Sequence, residues 1–169
     1  MNTDNLCIKL KNLIKIAKNY NFEPSGLFSL WGDSEGWTDG FLANLKSTDK
    51  DIMQAKAIIY RQKNQNFRCV NEANEGPKIK PILSRIDNDQ YEPVMDIEWD
   101  ILTNSLILIS ETSKELVNPV YVKYFATVYK NMIVTDIFIC KNINMSPVEI
   151  KIDNDRVGLI MPIRHDFSL

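Results

Sequence analysis

The chain has 169 residues, of which 44% are hydrophobic and 25% are charged. These proportions are close to globular averages and exclude a chain that is disordered throughout, and the length favours a single domain over residues 1–169. The net charge of −2 argues against a protein whose main task is binding phosphate backbones, so we expect no nucleic-acid partner.

The first part of the chain, residues 1–64, has helical patterning. Over residues 5–20, apolar residues recur at three- and four-residue steps with lysines on the opposite side, which predicts an amphipathic helix. These lysines also interrupt any signal-peptide core. A short helix is expected over residues 41–46. A longer one is expected from a cap at Thr48 to about Lys63, with a buried stripe of Ile52, Ala55, Ile58 and Ile59.

A glycine-rich, acidic segment lies within this helical part, over residues 31–40, and its composition predicts a loop. Trp31 and Trp37 bracket its first half. Because large aromatic side chains concentrate binding energy, both are candidate partner-binding residues. The alternative for both is a position in the core or at its edge.

The second half of the chain is predicted to be β-rich. Asparagine, glycine and proline make residues 65–93 an irregular seam, with a short strand at Phe67–Val70. From residue 94 onward the apolar residues alternate with polar ones, and a helix across 95–116 is the alternative for the first part. Residues 111–117 are expected to be a short connection. Strands are expected over 95–101, 106–109, 120–129, 132–140, 148–153 and 157–163.

These elements predict an α+β fold. N-terminal helices would pack on an antiparallel sheet, or a partly closed meander, of about six strands. The short links between the predicted strands favour hairpins over parallel crossovers. Turns are expected at Thr103-Asn104, Lys130-Asn131 and Asn154-Asp155.

The three cysteines, Cys7, Cys69 and Cys140, are widely spaced, and the only histidine is His165. Neither residue type shows the spacing of a metal site, so we expect no metal, no cofactor and free thiols. Free thiols favour a reducing, cytoplasmic location. No apolar run is long enough for a transmembrane helix.

Three carboxylates, Asp96, Glu98 and Asp100, fall on one side of a predicted strand. Carboxylates are poor strand formers and repel one another at this spacing. They indicate a solvated face near a sheet edge, a docking surface for a basic partner, or a Mg²⁺ site. Asp96-Ile97-Glu98 also resembles the first motif of the DnaQ-like 3′–5′ exonucleases, whose later motifs are not matched downstream.

A second candidate set is Asp136 with Glu149 and Lys151. An Asp followed on the next strand by Glu-x-Lys resembles the PD-(D/E)xK nuclease signature. The resemblance implies carboxylates that bind Mg²⁺ and a lysine that positions the attacking water. The alternative is an exposed polar strand face.

No complete catalytic set emerges from these patterns. We therefore expect a non-enzymatic accessory, inhibitor or immunity-type protein that docks to a protein partner, with a basic partner as one option. The predicted partner-binding residues are Asp96, Glu98, Asp100, Trp31 and Trp37. One alternative is a Mg²⁺-dependent nuclease or phosphoryl-transfer enzyme that uses residues 96–100, or Asp136, Glu149 and Lys151. The other is a β-barrel that binds a small molecule.

Overall fold

A computed structural model describes the backbone of residues 27–45, 56–61, 67–71 and 76–164, and the side chains of residues 31–45 and 76–164. The predicted helix at 5–20, Cys7 and His165 lie outside these ranges. The chain divides into two compact units, residues 1–81 and 82–169. Each unit is described by itself, and the expectation of a single domain stays a prediction.

The first unit contains an antiparallel sheet with the strand order β5-β4-β1-β2-β3. The predicted helices at 41–46 and 48–63 are wrong where the structure describes them, because strands β3 and β4 lie there. Residues 57–60 are a continuous apolar run, which is typical of a central strand, and β4 pairs on both sides. The strands are β1 (Leu27–Asp33), β2 (Gly36–Thr38), β3 (Leu42–Asn44), β4 (Lys56–Arg61) and β5 (Phe67–Asn71).

The glycine-rich segment is a β1–β2 hairpin rather than an irregular loop. Gly36 has a φ of 155°, and a Cβ atom there would lie 1.9 Å from the Asn44 carbonyl oxygen. Only glycine allows this close approach. The predicted strand at Phe67–Val70 is confirmed within β5.

Helix α1 (Ile79–Ile86) begins where the sequence predicted an irregular seam. Asp33, at the end of β1, accepts a hydrogen bond from the Ile79 N–H through Oδ2 at 2.8 Å. A side chain distant in sequence therefore satisfies one of the free donors of the first helical turn. Local patterning gives no signal for such a cap.

The second unit contains two antiparallel sheets. The larger has the order β12-β11-β10-β6 and the smaller the order β7-β8-β9. The smaller sheet comprises β7 (Asp96–Asp100), β8 (Ser105–Ile109) and β9 (Lys114–Val117). The larger comprises β6 (Tyr91–Pro93), β10 (Ile137–Cys140), β11 (Val148–Ile152) and β12 (Asp155–Ile160).

The fold class is α+β with antiparallel sheet, as predicted, but the described helices are not N-terminal and the strands outnumber the expected six. The strand predicted at 120–129 is helix α2 (Pro119–Val128). Asn118 caps it by accepting the Val120 N–H at 3.0 Å, and Pro119 occupies the first turn. This pair is a helix-start signal that outweighs the β propensity of the residues after it.

The remaining strands and turns of the second unit agree with the sequence-based predictions in some places and differ in others. The strands around 96–100, 105–109 and 148–152 are confirmed, and the alternative helix across 95–116 is wrong. Residues 114–117 form β9 instead of part of a connection. A short 3₁₀ helix (Val134–Asp136) precedes β10. The β11–β12 turn is at Asp153-Asn154, one residue earlier than predicted, and both residues have positive φ, as a two-residue primed turn requires.

Helix α2 covers the apolar face of the larger sheet. Phe125 is fully buried, and its ring meets the backbone of β12 at Gly158. A Cβ atom at Gly158 would lie 2.0 Å from Phe125 Cζ. Glycine at this position therefore lets the helix approach the sheet closely.

Glu92 of β6 links the two sheets of this unit. Its carboxylate accepts a hydrogen bond from the Ser110 hydroxyl, and from the Thr112 N–H at 2.8 Å and the Thr112 hydroxyl at 2.7 Å. Lys141 Nζ lies 3.8 Å from the other oxygen. Burial acts to raise the pKa of Glu92, but these hydrogen bonds and the lysine hold that pKa below its usual value. An ionised carboxylate thus fastens the β8–β9 turn to the edge of the larger sheet.

We predict that Gly158→Ala lowers the free energy of unfolding by roughly 1–3 kcal/mol, because the added methyl group overlaps the fully buried ring of Phe125. Urea unfolding measures the effect. In a Phe125→Leu background the same substitution should cost clearly less, since the clashing ring atoms are gone. An equal cost in both backgrounds would show that the ring does not set this constraint.

Candidate functional site

Strand β7 carries the predicted carboxylates at the edge of the smaller sheet. Asp96 and Glu98 are exposed and share one side of the strand, while Ile97 and Trp99 share the other. Within the described part of the chain, the side chain of Glu98 makes no hydrogen bond or ion pair. Two carboxylates, one of them without a partner, thus face solvent from an edge strand.

The same hairpin exposes large apolar side chains. Leu102 is 96% exposed, Ile101 83%, Met95 70% and Trp99 51%. Ile101 and Leu102 lie in the loop between β7 and β8, next to the carboxylates in sequence. Single exposed apolar residues are ordinary, but a group of them beside uncompensated charge is typical of a surface that meets another molecule.

Asp100 has a different role from the other two carboxylates. Its Oδ1 accepts the Leu102 N–H at 3.1 Å, and its Oδ2 accepts the Thr103 hydroxyl. The Thr103 hydroxyl bond, the largest influence, holds the pKa of Asp100 below its usual value. Asn104 completes the turn with a φ of 54°, which asparagine tolerates better than most residues. Asp100 therefore shapes the hairpin loop.

The two tryptophans predicted to bind a partner lie in the first unit. Trp37 is 2% exposed, and Trp31 is half-buried against Gly76, where a Cβ atom would lie 2.0 Å from Trp31 Cγ. Burial of Trp37 fits the core alternative raised from sequence. We therefore build no site on these residues, and their partner-binding role stays a prediction.

Glu149 and Lys151, two of the three nuclease candidates, are brought together. Lys151 Nζ lies 2.8 Å from Glu149 Oε2, and Arg156 Nη2 lies 2.5 Å from Glu149 Oε1. Glu149 is fully buried. A bulge between Ile150 and Lys151 shifts the register so that Arg156 stands opposite Lys151 and reaches the same carboxylate.

This geometry gives Glu149 a charge-pairing role. Both of its oxygens face cations of the protein, so neither is presented to a metal ion. Asp136 Oδ2 accepts the Ile133 N–H at 2.8 Å. Across the described residues, no group of three or more His, Cys, Asp or Glu side chains is arranged to hold a metal ion. Periodicity does not indicate Arg156, because the position of this side chain depends on the bulge.

Asp136 also lines a surface cleft of about 470 Å³ in the second unit. Its walls mix apolar side chains, such as Ile133 and Ile152, with the charged groups of Lys130 and Asp153. Small-molecule binding, the other alternative from sequence, stays a prediction.

A buried carboxylate, Glu115 of β9, lies beneath the β10–β11 connection and is 1% exposed. Its Oε1 accepts the Met145 N–H at 2.6 Å. Burial raises the pKa of Glu115 to about 7, against the opposing effect of hydrogen bonds from backbone N–H groups. Glu115 therefore has a structural role within the second unit.

None of the helices that the structure describes combines the length and the apolar composition needed to cross a membrane.

Cys140 is a free, buried thiol, and burial raises its pKa.

We predict that Glu115 makes stability depend on pH between about 4.5 and about 7. Folded protein keeps the proton up to the raised pKa, whereas the unfolded chain loses it near the ordinary value. The contribution of Glu115 to stability should therefore be fully present below about pH 4.5 and be lost as pH rises through about 7. Glu115→Gln should remove roughly 2–3 kcal/mol of this fall between pH 5 and pH 8, because one pKa unit corresponds to about 1.4 kcal/mol.

Urea unfolding of both proteins at pH 5 and pH 8 measures this effect. All other titrating groups, His165 included, are common to the two proteins and cancel in the difference. Parallel pH profiles would contradict the prediction.

Comparison with known proteins identifies no relative: no family model, no curated protein and no solved structure matches this chain. The functional conclusion therefore depends on the geometry of the chain itself.

Proposed function

We propose that this chain is a non-enzymatic protein that docks to a protein partner through the β7–β8 hairpin. The docking surface is defined as Asp96, Glu98, Trp99, Ile101 and Leu102. The observation that carries the proposal is the exposure of Trp99, Ile101 and Leu102 on a hairpin whose other side carries Glu98 with an unpaired side chain. An accessory, inhibitor or immunity-type role in the cytoplasm is consistent with a protein of this kind.

The composition of this surface supports an interface with a basic partner. Protein interfaces combine an apolar centre, often with tryptophan, and a polar rim. Here the apolar side chains are 51–96% exposed, so a partner that covers them gains their transfer from water. Asp96 and Glu98 supply negative charge at the margin, which steers and selects a positively charged partner.

Glu98→Lys tests the proposal, with Glu111→Lys as its matched control. Both glutamates are exposed, and each substitution raises the net charge by two. Glu111 lies in the turn between β8 and β9, at the other end of β8 from the loop that contains Ile101 and Leu102. Each variant should keep its stability within about 0.5 kcal/mol, since neither side chain makes a contact that folding needs. Asp100 is unsuitable for this purpose because its replacement would disturb the loop.

We predict that proteins captured from the native host by the unaltered chain are retained by Glu111→Lys. They should be lost, by about tenfold or more, with Glu98→Lys and with Trp99→Ser, as expected for a charged rim and an aromatic anchor. Quantitative mass spectrometry of the captured proteins measures this. Equal capture by all four proteins would place any docking surface elsewhere. Capture by none would contradict docking altogether.

A further inference from the structure

The outer side of β7 is open to another strand. Among the strands that the structure describes, β7 pairs only with β8. The Ile97 N–H donates to Asp96 Oδ1 at 2.8 Å, so this N–H is directed to a neighbouring side chain instead of to β8. Backbone groups alternate in direction along a strand. The N–H and C=O groups of Ile97 and Trp99 therefore lie on the outer edge.

Edge strands with free backbone groups pair with extended segments of other chains. We propose that the partner adds a basic, extended segment to β7 as a further strand. Its lysines or arginines would lie on the side of Asp96 and Glu98, and its apolar side chains on the side of Ile97 and Trp99. This inference rests on the proposed function and names the form and chemistry of the partner.

The alternating pattern of β7 favours this occupant. Because side chains of paired strands on the same face lie about 5 Å apart, opposite charges there attract and like charges repel. A partner with a basic residue at every second position would meet both exposed carboxylates at once. Backbone hydrogen bonds would give affinity, and the alternating side chains would give specificity.

A second copy of this chain is a poor occupant of the same edge. Antiparallel pairing of β7 with itself about Glu98 would place Glu98 opposite Glu98 and Asp96 opposite Asp100. Every acidic side chain of the strand would then face another carboxylate, which is destabilising. The same charges protect the edge against self-association in the absence of a partner.

Asp96 would change its contact when the strand is added. Its carboxylate now accepts the Ile97 N–H, which a carbonyl group of the partner strand would take over. The displaced carboxylate would then be available to a lysine or arginine of the partner. One residue would thus occupy the edge in the free protein and form part of the interface in the complex.

Synthetic peptides test the proposal with the full chain. The probe is a peptide of alternating lysine and valine, about nine residues long, which matches an ordinary strand. A block-ordered peptide of the same composition controls for charge. Two further probes carry N-methyl groups on one or the other set of alternate residues, which removes the backbone donors on one edge at a time. Titration followed by NMR gives the affinity and the exchange rates of the Ile97 and Trp99 amides.

We expect the alternating peptide to bind at least about tenfold more tightly than the block-ordered peptide and to slow exchange of the Ile97 and Trp99 amides. One of the two N-methylated peptides should lose about tenfold or more in affinity, because the donors it lacks face β7. Glu98→Lys should weaken binding of the alternating peptide, and Glu111→Lys should not.

Strand addition is overturned if both N-methylated peptides bind as well as the parent peptide, if the block-ordered peptide binds equally, or if no peptide binds. These results leave docking itself standing when the captured host proteins still depend on Glu98 and Trp99. If capture does not depend on those residues, the proposed function fails, and this inference fails with it.

Discussion

The carboxylate of Glu92 determines how the two sheets of the second unit are joined. It is 5% exposed and accepts hydrogen bonds from hydroxyl and N–H groups of the β8–β9 turn. A buried carboxylate without such donors would be strongly unfavourable, so the turn is held where the donors reach it. Only Val94 and Met95 connect β6 to β7. With β6 and the turn both fixed, β7 is left at the outer edge of its sheet.

The exposed hairpin follows from this arrangement. Burial increases across the smaller sheet from β7 through β8 to β9, and β7 presents Trp99 and the carboxylates to solvent. Leu102 and Ile101 extend the apolar surface beyond the sheet, supported by the Asp100 turn. Exposed apolar groups on an edge strand invite aggregation, and charge on the same strand opposes it. Under the proposed function, a partner that docks on the hairpin would cover these apolar groups.

Much of the β architecture could be predicted from the sequence because its strands alternate locally. The segments 96–100 and 148–152 show the period of two that a half-buried strand produces. The fold class followed from the same patterns. The sequence predicts a strand where residues 119–128 form a helix, because β-branched and aromatic residues follow the Asn118-Pro119 start signal. It predicts a helix where residues 56–61 form a strand, because a short apolar run fits both structures equally well.

The candidate site was predicted only in part. Asp96 and Glu98 could be found from sequence because acidic residues are unusual in strands. The separate role of Asp100 depends on the loop that follows it, and the exposure of Ile101 and Leu102 depends on which residues turn the chain. Apolar side chains in a loop carry no sign of whether they are buried. The pairing of Glu149 with Arg156 depends on a bulge that no periodicity reveals.

Site-specific photo-crosslinking in the native host tests the central claim most directly. A photoreactive amino acid at position 102 would lie in the apolar loop of the docking surface. One at position 133 serves as the control, because it replaces Ile133, an apolar residue outside the docking surface that is 62% exposed. Docking through the β7–β8 hairpin predicts a discrete covalent adduct with one protein from position 102 and none from position 133. An adduct from position 133 alone, or none from either position, would contradict docking through the β7–β8 hairpin.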